Sequence, residues 1–208
     1  MLAHSVDDYG RDPHLVRALS PIAGLRWNVS VGGIDRLPSR GGALLVCNDR
    51  RLSYTPIWAA WALWQHTGRP VRFVGRPDIA PVGALMRRIG GLLADPDEVA
   101  GALRHRELVL VGCTPSRHAR HAGSVPHELV AAAVVTGTPV FPLATTSSAL
   151  GRSARVEVGP QVRPRHDRRG PLAEVELAES VQRHLQRMLD GLGGTQTGVA
   201  PIDWLADS

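Results

Sequence analysis

Short apolar runs alternate along this chain with longer segments whose apolar residues recur every three or four positions. The short runs are typical of buried strands, and the longer segments are typical of helices that face a core. The pattern predicts strands at residues 27–31, 43–47, 71–74, 107–111, 140–144 and 154–162. It predicts helices at residues 13–23, 54–66, 82–89, 97–105, 125–136 and 172–192. Because strands and helices alternate, we expect an α/β fold with a mainly parallel central sheet flanked by helices.

Several helix ends carry residues that suit them. Asp12 followed by Pro13 is typical of a helix start, and Asp95 or Asp97 offers the same cap to the fourth predicted helix. Gly137 is typical of the residue that ends a helix. With 208 residues, the chain is long enough for one domain with a sizeable core. We therefore expect a single domain over residues 1–208, with a C-terminal helix at about 172–192 and a flexible tail at 193–208.

The basic charge of this chain is carried by arginine alone. All 24 Lys+Arg residues are arginine, and the formal net charge is +5. Such a chain is attracted to anionic surfaces, either lipid headgroups or nucleic acid. Nucleic acid is the unlikely partner, because the arginines come without the interleaved aromatic residues that stack on bases. An anionic lipid or a membrane surface is the expected partner, and the arginine-rich segment 151–170 is a candidate contact.

The cysteines and the lack of long apolar stretches indicate in which cellular compartment the protein is expected. Cys47 and Cys113 lack the spacing of a disulfide framework, which favours a reduced compartment. Residues 1–10 contain Asp7 and Asp8 and no apolar run, so we expect no signal peptide. No stretch reaches the roughly 18 apolar residues of a membrane-spanning helix. We expect a cytoplasmic protein that can lie peripherally at the inner face of the membrane.

Five sequence blocks occur in an ordered series between about residues 27 and 165. They are Gly33-Ile34-Asp35-Arg36-Leu37-Pro38, Phe73-Val74-Gly75-Arg76, Gly90-Gly91-Leu92-Leu93-Ala94-Asp95-Pro96, the segment 108–116, and Gly137-Thr138-Pro139-Val140-Phe141-Pro142-Leu143-Ala144. In this order they resemble the glycerophosphate and lysophospholipid acyltransferases, the 1-acylglycerol-3-phosphate acyltransferase-like family. The resemblance implies an acyltransferase-like fold and a setting in glycerolipid metabolism.

The catalytic motif of that family is altered here. The family carries Asn-His-x-x-x-x-Asp, whereas this chain has Asn48, then Asp49 in place of His and Tyr54 in place of Asp. The resemblance implies that the His is a general base on the acceptor hydroxyl and that the Asp orients it. A carboxylate with an ordinary pKa near 3.9 is a poor base for an alcohol, and a tyrosine cannot replace a carboxylate beside an imidazole. Loss of a general base typically costs about 10²–10⁴-fold in rate.

The residues that hold the acceptor phosphate in the family are altered as well. The resemblance places Pro96 and Pro115 where two phosphate-binding arginines stand, and Gly112 and Cys113 where the family has Glu and Gly. The candidate substrate-binding residues that remain are Asn48, Arg76, Thr114, Ser116 and Arg117. Arginine binds phosphate through two parallel hydrogen bonds, so Arg117 or Arg76 is a candidate replacement for the lost charge.

Two other chemistries and one surface remain open. Cys113 with His118 as base would be a thiol mechanism. The spacing of Cys113, His118, His121 and His127 matches no zinc module, so no metal is expected. Trp58, Trp61 and Trp64 form a stripe on one predicted helix, which suits either core packing or an interfacial face.

These observations favour an acyltransferase-family protein of glycerolipid metabolism with a degenerate active site. Such a pseudoenzyme would bind lipid or acyl groups, or regulate an active acyltransferase or acyl-carrier partner. The alternative is an active enzyme with atypical residues, moving an acyl chain from acyl-CoA or acyl carrier protein to a lysolipid-type acceptor. No cofactor is expected beyond that acyl donor.

Overall fold

A computed structural model describes residues 6–7, 9–49, 54–116, 121–147, 152–163 and 170–192. The helices are α1 (Pro13–Arg26), α2 (Thr55–Thr67), α3 (Val82–Arg88), α4 (Pro96–Arg104), α5 (His127–Thr136) and α6 (Pro171–Gly191). The strands are β1 (Asn28–Gly32), β2 (Ala43–Cys47), β3 (Val71–Val74), β4 (Gly91–Leu92), β5 (Leu108–Gly112), β6 (Val140–Ser147) and β7 (Ser153–Val158). A short 3-10 turn spans Ile34–Arg36.

The strands form one seven-stranded sheet in the order β1-β7-β6-β2-β5-β3-β4. The β6–β7 pair is antiparallel, and the other neighbouring pairs are parallel. The predicted α/β fold with a mainly parallel central sheet is therefore confirmed. In the register of the sheet, Cys47 lies beside Gly112 at the ends of β2 and β5. The loops after these two strands consequently meet at one edge, which we call the carboxyl edge.

Each face of the sheet is covered by its own hydrophobic layer. Leu44 and Val46 of β2 point to the face covered by α4, α5 and α6. Leu45 and Cys47 point to the opposite face, which is covered by α2. Both layers are buried because a parallel sheet with helices on each side leaves its central strands no contact with water. This explains why β2 is apolar at every position.

The predicted boundaries agree with the structure to within one or two residues, with four larger differences. β4 was not predicted, because a two-residue strand is too short to produce a pattern. The last predicted strand ends at Val158, and Val162 joins the sheet only through an isolated bridge to Val140. Helix α1 continues to Arg26 and strand β6 continues to Ser147, each beyond its predicted end. Asp12 caps α1, and of the two candidate caps of α4 it is Asp95 that accepts the backbone N–H groups of the first turn.

A buried charge cluster lies at the opposite end of the sheet, where β3 and β5 begin. The Arg72 side chain is inaccessible to solvent, and its Nε donates to Glu107 Oε2 at 2.5 Å. Its Nη2 donates to Asp7 Oδ2 at 2.6 Å. Burial alone lowers the pKa of Arg72, but the hydrogen bonds to Glu107 and Asp7 outweigh it and raise the pKa. We call this end of the sheet the amino end.

Candidate functional site

Asn48 follows β2 directly and lies buried at the carboxyl edge. Its Nδ2 donates to the carbonyl of Thr145 at 3.0 Å. Its Oδ1 accepts from the Thr145 backbone N–H at 2.8 Å and from the Thr145 hydroxyl at 3.1 Å. Asn48 was predicted as a substrate-binding residue, and the structure places its amide in bonds that tie β2 to β6.

Asp49 lies against the end of β5 and the start of α2. A Cβ atom added to Gly112 would come within 3.4 Å of Asp49 Oδ2 and within 3.1 Å of Pro56 Cγ. The approach to Pro56 is tighter than most real Cβ contacts, whereas the approach to Asp49 is ordinary van der Waals contact. The two departures from the family motif, Asp49 and Gly112, therefore lie side by side, and a side chain at position 112 would press on Pro56.

Tyr54 lies just before the first turn of α2 in a left-handed backbone conformation, with φ 50° and ψ 34°. Its carbonyl accepts hydrogen bonds from the N–H groups of Ile57 and Trp58. The side chain is 61% exposed and makes no capping hydrogen bond. The segment between Asp49 and Tyr54, residues 50–53, lies outside the described residues.

Cys113 follows β5, and its backbone N–H donates to the carbonyl of Cys47 at 2.8 Å. Both thiols are buried and free, but they belong to the hydrophobic layers on opposite faces of the sheet. Burial, and secondly the nearby charge of Asp49, raises the pKa of Cys113 to about 12. A nucleophilic cysteine needs a lowered pKa, so this environment disfavours the thiol mechanism. His118, its predicted base, lies outside the described residues.

Thr114 and Ser116 line a small polar cavity of about 340 Å³ beside α6. The Thr114 backbone N–H donates to the carbonyl of Ser124 at 2.8 Å. His121 lines the same cavity, and Gln186 closes it by accepting from the Ala122 N–H at 3.0 Å. These two predicted binding residues therefore share one polar space, whereas Arg117, the predicted replacement cation, lies outside the described residues.

Arg76 follows β3 and is largely buried between two carboxylates. Its Nη2 lies 3.5 Å from Glu98 Oε1, and its Nη1 lies 3.6 Å from Asp78 Oδ1. Pro96, where the family has an arginine, forms the first turn of α4, which Asp95 caps. Arg76, which was predicted to bind substrate, thus already has two carboxylates of the protein beside its guanidinium.

Sequence reasoning did not identify Thr145 and Glu98, the partners of Asn48 and Arg76. Thr145 lies near the end of β6, 97 residues from Asn48, and no local pattern indicates such a contact. Only the sheet order, which places β6 beside β2, brings these residues together. Glu98 reads from the sequence as an ordinary acidic residue in the first turn of a helix.

The tryptophan stripe on α2 packs inward. Trp58 is 1% exposed, and its ring stacks on Trp27 with centroids 6.4 Å apart. Trp61 is half-buried, and its Nε1 donates to the hydroxyl of Ser20 on α1 at 3.0 Å. Of the two alternatives, the structure supports packing against α1 and β1 rather than an exposed interfacial face.

Exposed apolar side chains lie on α1, at Leu19, Ile22 and Leu25, and around α3, at the end of the loop that follows β3. Ile79, Val82 and Leu85 are spaced three residues apart and are each at least half-exposed or nearly so. Gly83, on the same helix, packs so tightly that an added Cβ would meet the carbonyl of Pro77. We call Ile79, Val82 and Leu85 the α3 patch. Within the described residues, no helix has both the length and the apolar character needed to cross a bilayer.

Comparison with known proteins supports the fold. No protein-family model and no curated protein sequence matches the chain. Among solved structures, the chain is similar to the 1-acyl-sn-glycerophosphate acyltransferase PlsC from Thermotoga maritima, with a TM-score of 0.62 and 17% sequence identity. The match covers 86% of this chain and 79% of the other. The chain therefore has an acyltransferase-like α/β fold.

Proposed function

We propose that this protein is a catalytically degenerate member of the glycerolipid acyltransferases, which binds lipid or acyl groups at the inner face of the membrane without transferring them. In the same role it would regulate an active acyltransferase or acyl-carrier partner. The observation that carries the proposal is that Asp49 lies beside Gly112 in the place where the family has its catalytic His, while the exposed Tyr54 stands in the place of the family's Asp.

Two features of the motif support the absence of acyl transfer. Position 54, from which the family's Asp orients the base, carries a solvent-exposed tyrosine on a left-handed backbone. Among the described residues of the two site loops, 48–49, 54 and 112–116, Asp49 is the one side chain of the acidic or imidazole type, and His121 lines the adjoining cavity beside Thr114 and Ser116. A general base needs both reach and a suitable pKa.

The acceptor site supports the same proposal. Arg76 is occupied by Glu98 and Asp78, so binding a phosphate there would compete with two carboxylates. Pro96 and Pro115, which stand where the family has arginines, carry no charge that could bind a phosphate. A phosphate-bearing acceptor would thus lack the bidentate contacts that arginines give.

The α3 patch supports association with a lipid surface. Apolar side chains that project next to basic residues suit an interface of hydrocarbon and anionic headgroups. Arg87 and Arg88 follow the patch in the last turn of α3. Arg87 Nε donates to the Tyr9 carbonyl at 3.2 Å, and Arg88 is paired with Asp12 at 2.7 Å, so a headgroup there would compete with these contacts. Because Ile79 begins the patch on the loop after β3, a bilayer bound there would face the carboxyl edge and the altered motif.

An acyl-transfer assay tests the proposal. Radiolabelled acyl-CoA or acyl carrier protein is supplied with glycerol 3-phosphate or lysophosphatidate, and the Thermotoga PlsC serves as the positive control. We expect no product above background from the wild type. The double variant Asp49→His with Tyr54→Asp should stay nearly inactive, because groups that act as a unit are not restored singly and the phosphate contacts are still missing. Turnover by the wild type that is lost in Asp49→Asn would establish the alternative, an enzyme that uses a carboxylate base.

Flotation with anionic vesicles tests the lipid-surface part. Binding at low salt should weaken at high salt and should fall in the double variant Ile79→Ser with Leu85→Ser. Val135→Ser is the matched control, since Val135 is an exposed apolar residue on α5. Equal flotation of both variants would show that the α3 patch is not the contact.

A further inference from the structure

A groove of about 440 Å³ runs between α1 and α2 on the face of the sheet that α2 covers. Its volume is within the range of roughly 300–1,000 Å³ that is usual for ligand pockets. Val71 and Phe73 of β3 contribute to its lining, and Ile89 contributes from the residue after α3. Trp58, Trp61 and Trp64 contribute from α2. The lining is almost wholly apolar, which suits a hydrocarbon chain.

Two buried hydrogen-bond donors in the groove lining have no acceptor among the described residues. They are Nε of Arg11 and Nε1 of Trp58. Arg11 is 4% exposed, and Trp58 is more deeply buried still. Leaving a buried donor unsatisfied costs about 1–3 kcal/mol, and more for a charged group. A ligand that is mainly apolar and carries a hydrogen-bond acceptor would therefore match both the lining and these two donors.

Arg11 is the buried cation of this site, and Arg26, which also lines the groove, is exposed and lies over the Trp27 ring. Its guanidinium lies 5.8 Å from the centre of the Trp64 ring, and its side chain packs against Gly90. No carboxylate of the described residues lies within ion-pairing distance of Arg11, because Asp7 and Glu107 are bound to Arg72. Burial and the charge of Arg72 lower the pKa of Arg11, whereas Asp7 and Glu107 raise it. A buried cation without a direct partner favours an anionic ligand group.

We propose that the α1–α2 groove binds a long-chain fatty acid, with its carboxylate on the Arg11 guanidinium and its chain along the tryptophans of α2. This inference rests on the proposed lipid-binding function and assigns it a ligand class and a place. The apolar lining binds the chain, and Arg11 selects the head group.

The orientation of this ligand separates it from the altered motif. Arg11 lies beside the Arg72 cluster at the amino end of the sheet, whereas Asn48 and Asp49 lie at the carboxyl edge. The ligand carboxylate therefore faces away from the position at which the family's reaction takes place. The groove would hold the fatty acid as a bound ligand and would not present its carboxyl carbon for transfer.

Tryptophan fluorescence of the full chain offers a direct test. Four of the five tryptophans, Trp27, Trp58, Trp61 and Trp64, line the groove, so a ligand there should change the emission. The delipidated protein is titrated with oleate and, separately, with oleyl alcohol, both below the concentrations at which they aggregate. Calorimetry supplies the stoichiometry. We expect oleate to bind one to one and about tenfold more tightly than the alcohol, the effect of one hydrogen bond to a charged group.

Two pairs of variants complete the test. Arg11→Gln should weaken oleate binding about tenfold and leave the alcohol unchanged. Arg17 is an exposed arginine on α1, the helix that follows Arg11, and Arg17→Gln should bind like the wild type. Ala23→Phe, which fills the groove from α1, should weaken both ligands, whereas Ala18→Phe on the exposed side of α1 should not. The Ala23→Phe pair keeps the proposal testable if Arg11→Gln fails to fold.

The outcomes distinguish this inference from the function on which it rests. Absence of oleate binding, or equal affinity for oleate and oleyl alcohol, overturns the groove assignment. If vesicle flotation persists while oleate does not bind, the groove assignment fails and the proposed lipid association through the α3 patch still stands. If oleate binds as expected while acyl transfer proves robust, the groove assignment survives and the pseudoenzyme proposal fails.

Discussion

The carboxyl edge of the sheet and the α1–α2 groove differ in how their polar groups are paired. At the carboxyl edge, the Asn48 amide bonds to Thr145, and Arg76 pairs with Glu98 and Asp78, although the buried Nε of Arg76 has no acceptor among the described residues. In the groove, Arg11 and Trp58 each retain a buried N–H without an acceptor among the described residues. The cation beside the altered motif thus has carboxylate partners, whereas the buried cation of the groove has no carboxylate partner in the part of the chain that the structure describes. A chain whose motif departs from the family pattern can therefore still offer a buried cation to an anionic ligand.

The largest expected effect concerns the charge cluster beside the groove. Arg72→Met leaves the partly exposed carboxylates of Asp7 and Glu107 without their buried cation, which should destabilise the protein by about 3 kcal/mol, the lower end of the range for a buried pair. Arg155→Met breaks an exposed ion pair with Glu157 and should cost less than about 1 kcal/mol. Denaturant unfolding of both variants gives the two free energies. An equal decrease in the free energy of unfolding for both variants would show that the Arg72 cluster contributes no more to stability than an exposed ion pair.

A smaller effect tests the structural role of Asn48. Asn48→Ala removes three hydrogen bonds to Thr145 in a buried setting, and we expect a loss of about 2–3 kcal/mol in the free energy of unfolding. In a double-mutant cycle with Thr145→Val, the two losses should not add, because the residues are direct partners. Additive losses would contradict direct bonding between the two residues, and Asn48 would again be a candidate substrate-binding residue.

The smallest effect concerns the two ends of α2. Tyr54 and Gly68 both have left-handed backbones, with φ 50° and φ 66°. Tyr54→Gly should relieve backbone strain and change the stability by at most about 1 kcal/mol, in the stabilising direction. Gly68→Ala should destabilise by about 1–2 kcal/mol, since its added Cβ meets open space and only the backbone is strained. Thermal unfolding of the pair measures the contrast, and a destabilised Tyr54→Gly would show that the tyrosine side chain contributes contacts.

The fold could be predicted closely because its signals are local. The apolar runs of β2 and β5 and the caps at Asp12 and Asp95 lie within a few residues of the elements they define. The site could be predicted only in part. The positions of Asp49 and Tyr54 followed from the motif, but the partners of Asn48 and Arg76 depend on strand order and on contacts between distant segments. The burial of Arg11 could not be predicted, because an arginine just before a helix is usually a surface residue. Only the packing of α1 against α2 shows that it lines a groove.

The central claim is that this acyltransferase-like protein holds a lipid without transferring its acyl chain. Lipid extracted from protein purified from its own host, identified and quantified by mass spectrometry, tests that claim most directly. The account predicts a single-chain fatty acid in roughly equimolar amount, and its loss from Ala23→Phe but not from Ala18→Phe. A diacylated phospholipid product in its place, or protein that carries no lipid at all, would contradict it.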